Sequence, residues 1–137
     1  MIDKALKDRV KRHEGLRLKP YECPKGKLTI GYGHNIEDNG IPRIVAEDLL
    51  DIDLLHAQNE LFSNYPAYRW LSSGRKNALI DMAFNMGLPG LKDFKKMHKA
   101  LSESDFDSAA NEVLDSDYAR QLPKRSLENS ELIRNGE

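Results

Sequence analysis

Three side chains that could together hydrolyse a bond lie close to one another near the start of the chain. Glu14 closes an amphipathic stretch, Cys23 follows nine residues later, and Thr29 follows six residues after that. A carboxyl group can donate a proton, whereas a thiol or a hydroxyl can activate or position water. An acid at a helix end, facing a thiol and a hydroxyl on a small sheet, would suit hydrolysis of a polar, extended substrate.

The flanking sequence predicts the elements that must hold these groups. Apolar residues at the N-terminus recur at helical spacing, which predicts a helix from Asp3, its N-cap, to about His13, with Gly15 ending it. Residues 16–34 alternate between apolar and polar and predict a short hairpin or a three-stranded meander, with the turn at residues 24–26.

The remainder of the chain has a helical pattern. A long helix over residues 44–62 is the expected connector between an N-terminal lobe and a helical C-terminal lobe. Further helices are predicted at about residues 67–71, 91–101, 105–114 and 125–134. The predicted fold class is α+β, with a small antiparallel β-sheet lobe and a helical lobe joined by a long helix.

One further helix is predicted to be central and largely buried. Ser73 is its expected N-cap, and it runs to about Met86 with apolar residues over most of its circumference. Asn77, Asp81 and Asn85 form its single polar stripe, which should face a partner or a cleft. Nearby, Trp70 and Phe84 lie among apolar residues at helical spacing, and we expect core packing for both.

The bulk composition excludes several classes of protein. The chain has 137 residues and a net charge of -1, from 21 Lys plus Arg against 22 Asp plus Glu, so no basic field suggests a nucleic-acid partner. The single cysteine excludes an intramolecular disulfide and fits synthesis in a reducing compartment. The apolar runs are too short to span a membrane, and the charged N-terminus has no apolar core of signal-peptide length, so we expect neither a membrane span nor a signal peptide.

Taken together, the motifs resemble the phage-type lysozymes, the muramidases of glycoside hydrolase family 24. Glu14-Gly15-Leu16-Arg17, then Cys23, then Thr-Ile-Gly-Tyr-Gly-His at residues 29–34 have that family's spacing. Residues 75–79, 84–87 and 121–125 resemble later segments of the family in the same order. The resemblance implies a single lysozyme-like domain over residues 1–137. Its N-terminal lobe would cover about residues 14–43, and its helical lobe about residues 66–137 plus the first helix.

The resemblance also implies roles for the reactive residues. Glu14 would protonate the leaving oxygen of a glycosidic bond, which requires burial in the cleft, and Arg125 would reach and hold it. Thr29 would position a water molecule. Cys23 stands where the family most often has Asp, and it could act as general base, electrostatic stabiliser or nucleophile, or merely fill space. Positive charge on Lys25 and Lys27 could favour its thiolate.

Other residues receive binding or structural assignments. Tyr32, Asn85 and Gln121 are candidate substrate-binding residues, although each could equally be an ordinary polar surface residue. His34 should form a structural ion pair with Asp53, as the resemblance implies. His56 and His98 are expected at the surface. No short-spaced ligand pair supports a zinc site at His13, Cys23 and His34, so we expect no metal and no cofactor.

The predicted function is hydrolysis of the β-1,4 bond between N-acetylmuramic acid and N-acetylglucosamine in peptidoglycan. Two alternatives are a lytic transglycosylase, which would use Glu14 without water, and a non-catalytic peptidoglycan-binding module. The protein is expected to be a monomer made in the host bacterial cytoplasm. Its release to the cell wall would then need a holin-type pore, as the family implies.

Overall fold

The computed structural model describes residues 1–136, which form eight α-helices, one 3-10 helix and three β-strands. In chain order these are α1 (Lys4–Glu14), β1 (Arg17–Glu22), β2 (Leu28–Gly31), β3 (His34–Asn35), α2 (Ile36–Asn39), α3 (Arg43–Asn64), the 3-10 helix (Pro66–Trp70), α4 (Ser73–Lys92), α5 (Lys95–Ser102), α6 (Phe106–Leu114), α7 (Asp117–Gln121) and α8 (Pro123–Asn135). A small antiparallel sheet with many helices confirms the predicted α+β, lysozyme-like class.

The described chain falls into two compact units. Unit 1 covers Met1–Asp48, and unit 2 begins at Leu49. The long helix α3 belongs to both, since the division lies within it. Helix α1 lies in unit 1. The predicted lobe boundaries, with the first helix in the helical lobe, stay a prediction. The grouping of both units into one domain stays a prediction.

The sheet of unit 1 is a three-stranded antiparallel meander with β2 in the centre. Thr29 on β2 lies opposite Tyr21 of β1 on one side and Asn35 of β3 on the other. The pairing of β1 with β2 is irregular between Arg17 and Tyr21. Pro20 lies in this irregular stretch of an edge strand, which is where prolines occur within sheets. Thr29 therefore occupies the middle of the sheet.

The core of unit 2 is built around α4. This helix has seven buried residues, among which Leu79, Met82 and Leu91 have no exposed surface. Its first segment ends at about Met86, as predicted, because Gly87 has a φ of 76° and a ψ of 164° that are not helical, and a second helical segment then continues to Lys92. Buried residues of α5, α6 and α8 complete the same apolar cluster. None of the described helices is both long enough and apolar enough to cross a membrane.

Several local predictions in unit 2 need correction. The N-cap of α4 is Ser72, whose hydroxyl accepts from the backbone N–H of Arg75, and not Ser73. The short helix α7 was not predicted. Trp70 is 88% exposed and Phe84 is 39% exposed, so neither is a core residue. His98, expected at the surface, is half-buried and hydrogen-bonded on both ring nitrogens.

Candidate active site

Glu14 is placed by the end of α1. Asp3 caps the start of this helix, with its carboxylate accepting from the backbone N–H of Ala5 at 2.7 Å. Gly15 ends the helix, with a φ of 70° that glycine adopts without strain, and its N–H donates to the carbonyl of Lys11. These two caps make Glu14 the last helical residue, so its side chain projects where the chain turns into the sheet.

The carboxyl group of Glu14 lies directly on Gly33, in the turn between β2 and β3. A Cβ atom added at Gly33 would lie 2.5 Å from Oε2 and 2.9 Å from Cδ of Glu14. Gly33 also has a φ of +73°, which disfavours any residue with a side chain. Glycine therefore suits this position for two reasons: the backbone turn has a positive φ, and the carboxyl group of Glu14 occupies the space that a side chain would need. Glu14 is nevertheless exposed, so its neighbours in unit 1 do not supply the expected burial.

Cys23 follows β1 at the start of the predicted turn. Its N–H donates to the carbonyl of Lys27 at 2.9 Å, and its carbonyl accepts from Gly26 at 2.8 Å. Hydrogen bonds from the backbone N–H of Lys27, and then of Lys25, lower the pKa of the Cys23 thiol against a smaller opposing effect of burial. The turn therefore favours the thiolate.

This finding corrects the expected cause of thiolate formation. The ammonium charges of Lys25 and Lys27 were the expected cause, whereas the backbone amides of those residues lower the pKa of the Cys23 thiol. The ammonium group of Lys27 instead lies 3.2 Å from a carboxylate oxygen of Asp38 and 3.5 Å from one of Glu37, on α2. The sequence does not predict this cause, because it depends on the direction in which the backbone N–H groups of the turn point.

Thr29 is buried in the sheet, with 3% of its surface exposed. Its hydroxyl donates to the carbonyl of Lys27 at 2.8 Å and also contributes to lowering the pKa of Cys23. A hydroxyl has one proton and two lone pairs, so Thr29 can serve only one of these acceptors at a time and can still accept a hydrogen bond. Glu14, Cys23 and Thr29 thus all belong to unit 1, as do Tyr32 and His34.

Tyr32 and His34 flank the Gly33 turn and contact other parts of unit 1. The ammonium group of Lys11 lies 5.3 Å from the centre of the Tyr32 ring, which ties α1 to the turn by a cation–π contact. Nε2 of His34 donates to the carbonyl of Gly40, at 2.6 Å, just after α2. Asp53, its predicted partner, is an exposed residue of α3 in unit 2, so the ion pair stays a prediction.

In unit 2, two predicted substrate-binding residues line one cavity. Asn85 precedes the break in α4 and Gln121 ends α7, and both line a cavity of about 840 Å³. Phe94 and Tyr118, which contact each other edge to face, supply aromatic surface to the same cavity. The structure therefore brings Asn85 and Gln121 together, although they are 36 residues apart in sequence.

Arg125 binds the polar stripe of α4. Its guanidinium donates two hydrogen bonds to the carboxylate of Asp81, at 2.7 and 2.9 Å, from the first turns of α8. Asn129 donates to the same carboxylate at 2.7 Å and to the hydroxyl of Tyr118 at 2.8 Å. The hydrogen bonds from Arg125, followed by those from Asn129, hold the pKa of Asp81 below its usual value despite partial burial.

Within the polar stripe of α4, Asp81 therefore contacts helix α8, whereas Asn85 lines the cavity. Sequence analysis left the choice between a partner and a cleft open, and it assigned Arg125 to Glu14. The hydrogen-bonding partner that the structure gives Arg125 is Asp81. Sequence reasoning also missed Gly33 as a support for Glu14, although the residue stood inside the quoted motif.

Comparison with known proteins agrees with these features. Residues 11–130 match the family described as phage lysozyme. A protein named "Probable T4-type lysozyme 2", from Dictyostelium discoideum, is 31% identical over 151 aligned positions, covering 89% of both chains. The endolysin of Acyrthosiphon pisum secondary endosymbiont phage 1 is 33% identical over 121 positions, covering 85% of this chain and 80% of that one. The chain therefore belongs to the phage lysozyme family and is a glycoside hydrolase that degrades peptidoglycan.

Proposed function

We propose that this enzyme cleaves the β-1,4 bond between N-acetylmuramic acid and N-acetylglucosamine, with Glu14 as the general acid. The proposal rests on the close contact between the Glu14 carboxyl group and Gly33, in the same unit as Cys23 and Thr29. Glu14 donates its proton to the departing glycosidic oxygen while water attacks the sugar carbon. Bound substrate must exclude solvent from this carboxyl group, because Glu14 is exposed in the free protein.

In this mechanism Cys23 and Thr29 act on the water molecule that attacks the sugar. The lowered pKa of Cys23 supports a thiolate that takes the proton of the water, or stabilises charge on the sugar, over a merely space-filling thiol. Thr29 accepts a hydrogen bond from the same water molecule. A wide gap between Glu14 and Cys23 leaves room for water and gives inversion, whereas a short gap favours a covalent intermediate.

The remaining assignments form part of the same proposal. Tyr32, Asn85 and Gln121 bind the acetamido and hydroxyl groups of the glycan, and the cavity shared by Asn85 and Gln121 supports this role for those two. Arg125 and the pair formed by His34 with Asp53 act as structural groups near the site.

The direct test is clearance of purified cell walls by Glu14→Gln. This variant cannot donate the proton, and we expect its rate to fall by at least about 100-fold, the usual contribution of a general acid. Glu131→Gln is the matched control, because Glu131 is an exposed residue of α8 and the change removes the same charge. Equal clearance by both variants would refute the assignment of Glu14.

A substitution series at Cys23 separates its possible roles. If the thiolate acts as a base or stabiliser, Cys23→Asp keeps a negative group and retains clearance, whereas Cys23→Ala loses it. If the thiolate attacks the sugar, mass spectrometry of the protein during turnover finds a glycosyl adduct on Cys23. Full activity of Cys23→Ala would show that the thiol only fills space.

Analysis of the released fragments tests hydrolysis against the transglycosylase alternative. Hydrolysis adds water across the bond, so the muramic acid end carries a free reducing group. Products lighter by one water would indicate an anhydro-sugar and would reject the assignment of Thr29 as a water-positioning residue.

We further infer that the protein acts as a monomer, is made in the bacterial cytoplasm and reaches the wall through a holin-type pore. The similarity to a phage endolysin supports this route. Expression in bacteria with and without a co-expressed pore tests it: lysis that needs no pore would contradict it. Light scattering of the purified protein tests the monomer.

A further inference from the structure

Unit 2 contains a second groove that shares no lining residue with the cavity of Asn85 and Gln121. It has a volume of about 770 Å³ and lies where the end of α3 and the 3-10 helix meet α5 and the start of α6. Its lining consists of residues 64–68, 70–72 and 75, together with residues 98, 99, 101, 102, 104 and 106. The function described above uses none of these residues.

An exposed aromatic ring lies at the edge of this groove. Trp70, the last residue of the 3-10 helix, is 88% exposed. An indole ring held in water forgoes the free-energy gain of burying a large apolar surface. Trp70 is also the only tryptophan in the chain. An isolated apolar residue at the surface is ordinary, but a tryptophan at the rim of a groove offers a flat platform for a ligand.

The wall beside Trp70 is rigid. The rings of Tyr65 and His98 stack with centres 4.3 Å apart and planes 6° apart, and Tyr68 stacks on Tyr65 at 5.0 Å. Nε2 of His98 donates to the carbonyl of Leu91, so Nδ1 accepts from the hydroxyl of Tyr68. Such a wall is organised before a ligand arrives, so binding incurs little ordering cost.

The groove combines hydrogen-bonding groups with positive charge. The Asn64 amide donates to the carbonyl of Glu60, which leaves its own carbonyl free, and the Ser102 hydroxyl donates to Lys99, which leaves its oxygen able to accept. Arg75 lines the groove, but its guanidinium donates to the carbonyls of Ile133 and Arg134. Within the described part of the chain, the lining also includes Lys99 and no Asp or Glu. This is unusual in a protein with slightly more acids than bases. The groove is therefore complementary to a hydroxylated ligand that carries carboxylates.

We propose that this groove is a second binding site for the glycan strands of peptidoglycan, separate from the hydrolytic site. Trp70 stacks on the apolar face of a hexosamine ring, while Asn64 and Ser102 contact its hydroxyl and acetamido groups. Lys99 attracts the carboxylates that muramic acid and its peptide carry. Such a site would hold the enzyme on an insoluble wall between cleavage events, because a second attachment raises the effective concentration of substrate.

Fluorescence of the single tryptophan tests the site directly. The Glu14→Gln variant is titrated with muramyl glycan fragments, with chitotetraose and with polyglutamate, so that no probe is consumed. We expect a saturable blue shift with the muramyl fragments, a weaker one with neutral chitotetraose, and none with polyglutamate. No shift with the muramyl fragments, or an equal shift with polyglutamate, would overturn the proposal. Cleavage of the muramyl fragments by Glu14→Gln would refute the assignment of Glu14, whereas intact fragments that cause no shift would refute this second site.

Retention on purified cell walls provides the second test. Trp70→Ala should weaken retention by roughly two- to tenfold, the equivalent of one lost aromatic contact, and Lys99→Ala should weaken it in low salt only. Leu127→Ala and Lys92→Ala are the controls, because both residues are exposed and neither lines the groove. Hydrolysis of short soluble fragments should be unchanged in Trp70→Ala. Retention of Trp70→Ala equal to that of Leu127→Ala would refute the site.

Discussion

The close contact between Glu14 and Gly33 can be tested by comparing the stability and the activity of two variants, Gly33→Ala and Gly31→Ala. Both glycines have a left-handed φ, +73° and +70°. Alanine in that region costs roughly 1–2 kcal/mol in either variant. A cost of 1 kcal/mol lowers Tm by roughly 2–8 °C in domains of this size range. The two variants should therefore lose similar thermal stability.

Their activities should differ sharply. A Cβ at Gly31 would meet nothing within 4 Å, whereas a Cβ at Gly33 would lie 2.5 Å from Oε2 of Glu14. Restoring an ordinary contact of 3.4 Å requires the carboxyl group to move by roughly 0.9 Å. The Glu14 side chain can rotate away at little cost in folding, but a displacement of about 1 Å in a catalytic group costs about 100-fold in rate.

The assay pairs thermal unfolding with clearance of purified walls at saturating and limiting substrate. We expect kcat to fall about 100-fold in Gly33→Ala, equivalent to about 2.7 kcal/mol, while Gly31→Ala keeps nearly full activity below its Tm. In the Glu14→Gln background, Gly33→Ala should cause no further loss. Equal activity of Gly33→Ala and Gly31→Ala would refute the claim that Gly33 positions the acid.

Three further predictions concern titratable groups. The Cys23 thiol should be alkylated by iodoacetamide with a midpoint below the ordinary thiol range, because backbone amides lower its pKa, and a midpoint above that range would contradict the turn geometry. The pKa of Asp81 is lowered in the folded state, so its contribution is present above its unfolded pKa and lost as pH falls. In urea unfolding at pH 7, Asp81→Asn should be less stable than the wild type by about 1–2 kcal/mol, because it loses hydrogen bonds of the partly exposed pair with Arg125. The difference in stability between the two proteins should disappear in acid. Burial lowers the pKa of His98, so the folded state prefers the neutral ring. Stability from this group is therefore present above its unfolded pKa and falls as pH drops below about 6.5, and His98→Phe should flatten that acid-side loss in the same unfolding assay.

Local signals predicted much of the backbone correctly. Asp3 caps α1 and Gly15 ends it as expected, because a capping carboxylate and a glycine with positive φ act on their immediate neighbours. The turn between β1 and β2 lies where proline and glycine placed it. The 3-10 helix and α3 each lie within two residues of the predicted bounds, since hydrophobic periodicity defines such elements.

Pairing between distant residues could not be predicted in the same way. The Asp81–Arg125 pair joins residues 44 apart, and the sequence offers several other carboxylates to that arginine. The outward position of Trp70 was also missed, because periodicity shows which residues share a face but not which face meets the core. The surroundings of His98 depend on the rings of Tyr65 and Tyr68, which lie 33 and 30 residues earlier in the chain.

By itself, the sequence determined which groups are present for the reaction, the order of the elements that carry them and the family to which the chain belongs, because residue type and spacing along the chain carry that information. Only the tertiary structure decided that Glu14 rests on Gly33, that backbone amides favour the Cys23 thiolate, and that Arg125 binds Asp81. Each of these contacts depends on distances through space, which spacing along the chain does not specify.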